Sequence, residues 1–229
     1  MEQLNLYGDS PLNELNGYGI DISMQRIDDL DAEMLKSVES SKLPNLRAID
    51  LGCGQGGQSL RIALRNCDVT AVDIQDFSKE IAEGCMENKI SKERIHFIKS
   101  DIQQTSVYLA GQYNFIYSQR AFHYIDYKDL EKLLKILKQH FVENNESKLF
   151  ASVSGLETEL GENYEDKNKP ISNRFCHLDR KIRNKHKILL PVCLYRLAEF
   201  EELLVKCKYS IEKIYQSDFG NIKAIAKPI

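Results

Sequence analysis

The chain has 229 residues, 42% of them apolar and 28% charged, with a formal net charge of -3. That is the composition of an ordinary soluble protein, long enough for one domain with a sizeable core and cramped for two. Nothing global draws it to nucleic acid or to an anionic membrane, no apolar run approaches the ~20 residues of a membrane span, and MEQLNLYGDS lacks the regions of a secretion signal, so cytoplasmic residence is expected.

Residues 1 to 27 form a polar arm, interrupted by Pro11 and anchored by Tyr7, Leu15 and Tyr18. Either it is loosely attached or it closes over a ligand site. Residues 28 to 40 start with acids and carry Leu30, Met34, Leu35 and Val38 at helical spacing, and Pro44 then forbids further helix. Next comes LRAIDLGCGQGGQS, residues 46 to 59. A short apolar strand runs into glycines and then into amphipathic sequence, with Leu60, Ala63 and Leu64 inward and Arg61 and Arg65 outward. Glycines between a strand and a helix let bare backbone approach a ligand, so a small-molecule site is expected here.

Cys67 to Ile74 reads as the second strand, and Phe77, Ile81, Ala82 and Cys85 stripe the helix after it. Ile95 to Ile98 and Tyr113 to Tyr117 read as the third and fourth strands. Asp126 is placed to cap a long helix whose inward face is Leu130, Leu133, Leu134, Leu137 and Phe141, with Glu131 and Lys135 paired outside. Leu149 to Val153 is a fifth strand. From 155 to 192 the alternation breaks: an acidic stretch gives way to a basic one (Arg174, Arg180, Lys181, Arg183, Lys185, Lys187) with a weakly patterned helix near 178 to 188. A clear helix follows (Leu197, Phe200, Leu204, Cys207). Two short strands, Ile211 to Tyr215 and Ile222 to Ala226, then have a connection too short for anything but antiparallel pairing.

Strands alternating with helices imply a parallel sheet covered on both faces, which binds ligands beyond the carboxyl ends of its strands where strand order reverses. Gly52, Asp73, Asp101 and Ser118 should therefore surround one crevice. Two cofactor classes compete for it. Gly52, Gly54 and Gly57 satisfy GxGxxG, and Asp73 lies 21 residues beyond Gly52, the pattern of a nicotinamide dinucleotide site. Asp50, inside the end of the first strand, argues otherwise. A carboxylate there repels a pyrophosphate but suits the ammonium or sulfonium end of a zwitterion.

With Asp50 included, DLGCGQG resembles motif I of the class I S-adenosylmethionine (SAM) dependent methyltransferases. VTAVDI and HFIKSDI match that family's next two strands, and YNFIYSQRAFHYI its fourth. DLGCGQGxxSL followed by DVTAxD is similar to the tellurite-resistance type and other small-molecule methyltransferases, over the cofactor half alone. The resemblance implies a three-layer, doubly wound, mostly parallel seven-stranded sheet with an antiparallel last strand, as one domain over 1–229. In it, 1–45 is an arm and helix, and 155–192 an insertion covering the substrate site.

The resemblance also implies SAM as cofactor and S-adenosylhomocysteine (SAH) as product. The cofactor would be held by Asp50, Gly52, Cys53, Gly54, Asp73, Ile74, Asp101, Ile102 and Ser118, with Asp73 on the ribose hydroxyls and Asp101 near the adenine. His123 is the candidate proton acceptor, because histidine titrates near neutrality, and Tyr124 and Arg120 are candidate substrate contacts. The expected reaction is in-line methyl transfer to O, N or S of a small molecule. The alternatives are an RNA or protein methyltransferase docking through 174–187, or a SAM-binding module without catalysis. The run SQRAFH lacks the NPPY or DPPY signature used on exocyclic amines of bases, so DNA amino methylation is disfavoured. Six scattered cysteines without CxxC spacing, and Cys176–His177 without an answering pair, give no expectation of a metal or of disulfides. Oligomeric state is not legible.

Overall fold

The computed structural model describes residues 14–229. Seven strands form one sheet: β1 (Arg47–Leu51), β2 (Asp68–Asp73), β3 (Ile95–Lys99), β4 (Phe115–Gln119), β5 (Lys148–Val153), β6 (Tyr209–Gln216) and β7 (Ile222–Pro228). Their spatial order is β3-β2-β1-β4-β5-β7-β6. The first five are parallel, and β7 runs antiparallel to both β5 and β6. The order reverses between β1 and β4, so the loops leaving those two strands part company and open a crevice.

Side-chain alternation divides the core into two layers. Ile49, Leu51 and Ile116 pack with Leu130, Leu133, Leu134 and Leu137 of α5 (Tyr127–Lys138), whereas Ala48, Val69, Tyr117 and Phe150 pack on the other face. That second layer is covered by α1 (Asp29–Ser40), α2 (Gly57–Ala63) and α3 (Ser78–Glu87). Each fully buried leucine on these faces contributes about 1.5–3 kcal/mol. The acid-rich start of α1 is a capping box. Asp28 accepts from the N–H groups of Leu30 (2.8 Å) and Asp31 (3.2 Å), while the Asp31 carboxylate accepts from Asp28 N–H (2.9 Å). Asp126 caps α5 as expected, accepting from Lys128 N–H at 2.9 Å, and Lys135 reaches Glu131 at 2.5 Å.

Two helix faces differ from the sequence reading. In α2, Ile62 is fully buried whereas Leu64, just past the helix, is 49% exposed, and the Arg61 guanidinium turns inward to the carbonyls of Ser23 and Arg26. The helix is short and wrapped by the arm, so its buried arc is wider than a single amphipathic stripe. In α3, Ala82 is exposed and Gly84 replaces it at the interface. A Cβ on Gly84 would stand 2.5 Å from Leu60 Cδ1. The fourth strand also lies later than expected, with Tyr113 making an isolated bridge to Phe141 instead of belonging to β4.

After β3 come a single helical turn, α4 (Thr105–Tyr108), and then β4. After β5 the chain wanders through short turns and α6 (Arg180–His186) before α7 (Leu197–Lys206). The 155–192 region encloses a small core of its own, Leu160, Tyr164, Leu178, Ile182, Ile188 and Val192, pinned by Tyr164 Oη donating to the Val192 carbonyl at 2.7 Å. Among the described residues no helix is long and apolar enough to cross a membrane, no three His, Cys, Asp or Glu are grouped to hold a metal, and all six cysteines are free.

Candidate active site

A cavity of about 950 Å³ opens at the carboxyl ends of β1 to β4. Its floor is the β1–α2 loop. Gly52 and Gly54 both have positive φ (74° and 53°), and both are crowded: a Cβ would stand 2.4 Å from Ala121 Cβ at the first and 2.4 Å from an Asp21 carboxylate oxygen at the second. The glycines thus let this loop approach both the β4 loop and the arm. Cys53, between them, is buried with its Sγ 3.4 Å from the Gly54 carbonyl, and burial holds its thiol far above the usual range. It is inert packing rather than a nucleophile.

Carboxylates ring this end. Asp50, from the end of β1, is buried and accepts a 2.6 Å hydrogen bond from Ser59 Oγ; burial raises it to about 7. Asp73, ending β2, accepts from Gly54 N–H (2.9 Å) and Gln75 N–H (3.0 Å), one on each oxygen. Each oxygen keeps a second lone pair. Burial raises its pKa as well. Asp101, after β3, accepts from Gln103 N–H at 2.9 Å, and Ile74 and Ile102 beside these acids also line the cavity.

Ser118 does not belong to this set. It is fully buried, donates to the Leu51 carbonyl at 2.9 Å and does not line the cavity. The physical reason is parity. Asp50 pairs in register with Tyr117, so Tyr117 and Gln119 share its face and Ser118 points to the opposite one. Tyr117 and Gln119 do line the cavity, with the Tyr117 hydroxyl bonded to Asp31 and the Gln119 amide bonded to Asp28. Burial, then the neighbouring Asp28, raises Asp31 to about 6.

The arm supplies residues that its sequence did not flag. Asp21 accepts from Gln55 N–H of the glycine loop and from Ser23 N–H, both at 2.7 Å. Tyr18 also lines the cavity, and burial and then the charges of Asp101 and Asp73 raise its pKa. Tyr7, the other aromatic proposed for a lid, lies outside the described residues, as does Pro11.

At the far end, beyond β4, a 3-10 turn (Phe122–Tyr124) carries His123 and Tyr124. Tyr124 Oη donates to the Tyr18 carbonyl at 2.7 Å. Its ring lies edge-on to Tyr18 (centroids 5.1 Å) and 4.3 Å from the imidazole of His123. His123 is 2% exposed, neither ring nitrogen has a partner among the described residues, and burial, then the Arg120 charge, lowers it to about 3. Arg120 is in the left-handed region (φ 53°), its N–H donating to Ser152 Oγ at 3.0 Å. The 155–192 segment adds Glu159 and His186, joined Nε2···Oε2 at 3.1 Å, to the same wall.

The strand order, the antiparallel β7 and the glycine loop at the switch point make up the class I methyltransferase fold. Residues 48–144 match the family described as "Methyltransferase domain". Solved structures with this fold include magnesium protoporphyrin IX methyltransferase from Synechocystis PCC 6803 with bound SAM (16% identity, 87% of this chain and 78% of that one, TM-score 0.59). Others are 1,6-didemethyltoxoflavin-N1-methyltransferase from Burkholderia thailandensis with bound 1,6-didemethyltoxoflavin and SAH (15%, 88% and 80%, 0.61) and a SAM-dependent methyltransferase from Clostridium acetobutylicum ATCC 824 (14%, 87% and 89%, 0.60). No curated protein matches the chain in sequence. Residues 48–144 thus match a methyltransferase domain, and the chain shares its fold with solved SAM-dependent methyltransferases.

Proposed function

We propose that the protein transfers the methyl group of SAM to an O, N or S nucleophile of a small-molecule acceptor. The observation that carries this reading is enclosure. The glycine loop, the acids of β1 to β3, the arm, the β4 loop and the 155–192 segment surround one cavity, a volume suited to a cofactor beside a second small molecule. The structural neighbours named for magnesium protoporphyrin IX and for 1,6-didemethyltoxoflavin are methyltransferases of small molecules too.

SAM, when bound, supplies an activated methyl on a sulfonium. The chain's residues fit it. Asp50 places negative charge opposite that cation, the free lone pairs of Asp73 suit two ribose hydroxyls, Asp101 lies where the adenine amino group would be met, and Ile74 and Ile102 flank the base. The bare backbone at Gly52 and Gly54 gives the methionine portion close approach. Tyr18 and Asp21 close the arm over it and, with the wall from 155 to 192, exclude water.

His123 supports a different role from proton acceptor. An imidazole held near 3 is a weak base at neutral pH, so it acts as a neutral polar wall. His186 is better oriented for a proton, because the Glu159 carboxylate fixes one ring nitrogen and leaves the other as acceptor. Docking of RNA or acidic protein on 174–187 is not favoured. Arg174 is 1% exposed and paired with Glu199, Lys185 and His186 are engaged by Glu159, and Lys187 by Glu14.

Incubation with methyl-labelled SAM and separate protein-free small-molecule, RNA and protein fractions tests the reading. Label is expected in the small-molecule fraction. Label confined to RNA or protein contradicts it.

A further inference from the structure

The composition of the wall formed by Tyr18, Arg120, His123 and Tyr124 bears on which acceptor fits. Tyr18 borders Asp73 and Asp101, Tyr124 meets Tyr18, His123 meets Tyr124, and Arg120 perturbs His123, Tyr124 and His186. Arg120, His123 and Tyr124 all line the cavity. Arg120 makes no ion pair among the described residues.

An unpaired cation on a cavity wall is not by itself a site. Two further features make this one. The backbone at Arg120 is in the left-handed region (φ 53°), fixed by its N–H donating to Ser152 Oγ. Beside it His123 is buried on the cavity wall with both ring nitrogens unpartnered, a state that costs free energy unless a ligand supplies the partner. Cation, neutral imidazole and aromatic faces together match a planar ring bearing an anionic oxygen group.

We propose that the acceptor is an aromatic carboxylate, with its carboxylate on the Arg120 guanidinium, an oxygen within reach of a His123 ring nitrogen, and its ring along Tyr124. This deepens the small-molecule methyltransferase reading and rests on it. The acids of β1 to β3 draw the cationic cofactor and repel a carboxylate, and of the cations lining the cavity Lys185 and Lys223 are already paired with Glu159 and with Asp28 and Asp29, whereas Arg120 has no ion pair among the described residues.

Titration of the SAH-saturated protein with benzoate, benzamide and acetate tests the proposal. Benzoate is expected to bind about tenfold or more tighter than its neutral isostere benzamide, and tighter than acetate, which has the charge without the ring. In Arg120→Gln that preference over benzamide is expected to vanish while SAH affinity stays within about twofold, and Arg120→Lys to restore part of it. Equal binding of benzoate and either control overturns the proposal. So does weakened SAH binding in Arg120→Gln, which would put Arg120 on the cofactor's own carboxylate. Failure of the unaltered protein to bind SAH is a separate result and removes the methyltransferase reading instead.

Discussion

Replacing Gly57 with alanine separates helix propensity from what the arm does. Gly57 opens α2 and does not have a positive φ, so alanine is conformationally acceptable, and propensity alone favours it by up to about 1 kcal/mol. The packing says the reverse. A Cβ would stand 2.3 Å from the Ser23 carbonyl oxygen and 2.7 Å from Met24 N, both backbone atoms that no rotamer change can move. The segment around 21–26 must shift, at an overpacking cost of about 1–3 kcal/mol. That segment holds the Asp21 bond to Gln55 N–H and the carbonyls that receive Arg61. Losing the charge-assisted bond costs a further ~1.5–3 kcal/mol. Because Asp21 and Tyr18 cover the cofactor end, SAH affinity is expected to fall about ten- to a hundredfold, with the sheet and its helices intact by circular dichroism. Calorimetric titration with SAH, and hydrogen exchange across 15–27, measure the two halves of this. SAH affinity within twofold of the unaltered protein, together with unchanged exchange in the arm, refutes the account of the arm.

Three further outcomes follow from the buried charges. Asp50, raised to about 7, is mostly protonated at pH 6 and mostly ionised at pH 8. SAM affinity is therefore expected to rise about tenfold over that interval, with a proton released on binding, and Asp50→Asn to flatten the dependence in titrations run in buffers of different ionisation enthalpy. His123, lowered to about 3, binds its proton in the unfolded chain before the native one does as pH falls. Its contribution is intact above about pH 6.5 and is lost on acidification, by roughly 2–3 kcal/mol between pH 6.5 and 4.5, and chemical denaturation of His123→Leu should show that portion of the slope removed. Arg174 donates to both Glu199 oxygens and to the carbonyls of Lys169 and Leu194. Arg174→Ala strands these groups and is expected to cost about 3–5 kcal/mol in denaturant unfolding, marking this member of the basic stretch as structural.

The sequence made the sheet legible because its signals are local. A strand, a glycine cluster and a terminal acid recur within a few residues, and the acids Asp50, Asp73 and Asp101 converge by topology alone. What it hid depends on partners distant in the chain. Asp21 lies 34 residues from the Gln55 amide it accepts from, and Tyr117 lies 86 from the Asp31 it donates to. Neither pair has a spacing to read. Ser118 was misplaced by one step of strand parity, and the register of Asp50 with Tyr117 is the signal that sets it. The 155–192 segment has no period of 2 or 3.6 because much of it folds around Tyr164 and a small core of its own, so the Glu159–His186 pair could not be anticipated.

Side-by-side calorimetric titration of the full chain with SAH and with NAD addresses the central claim most directly, since the glycine spacing suits either ligand and only the acid within β1 separates them. SAH is expected to bind and NAD to give no heat of binding at the same concentrations. Binding of NAD without binding of SAH would contradict the assignment of this crevice.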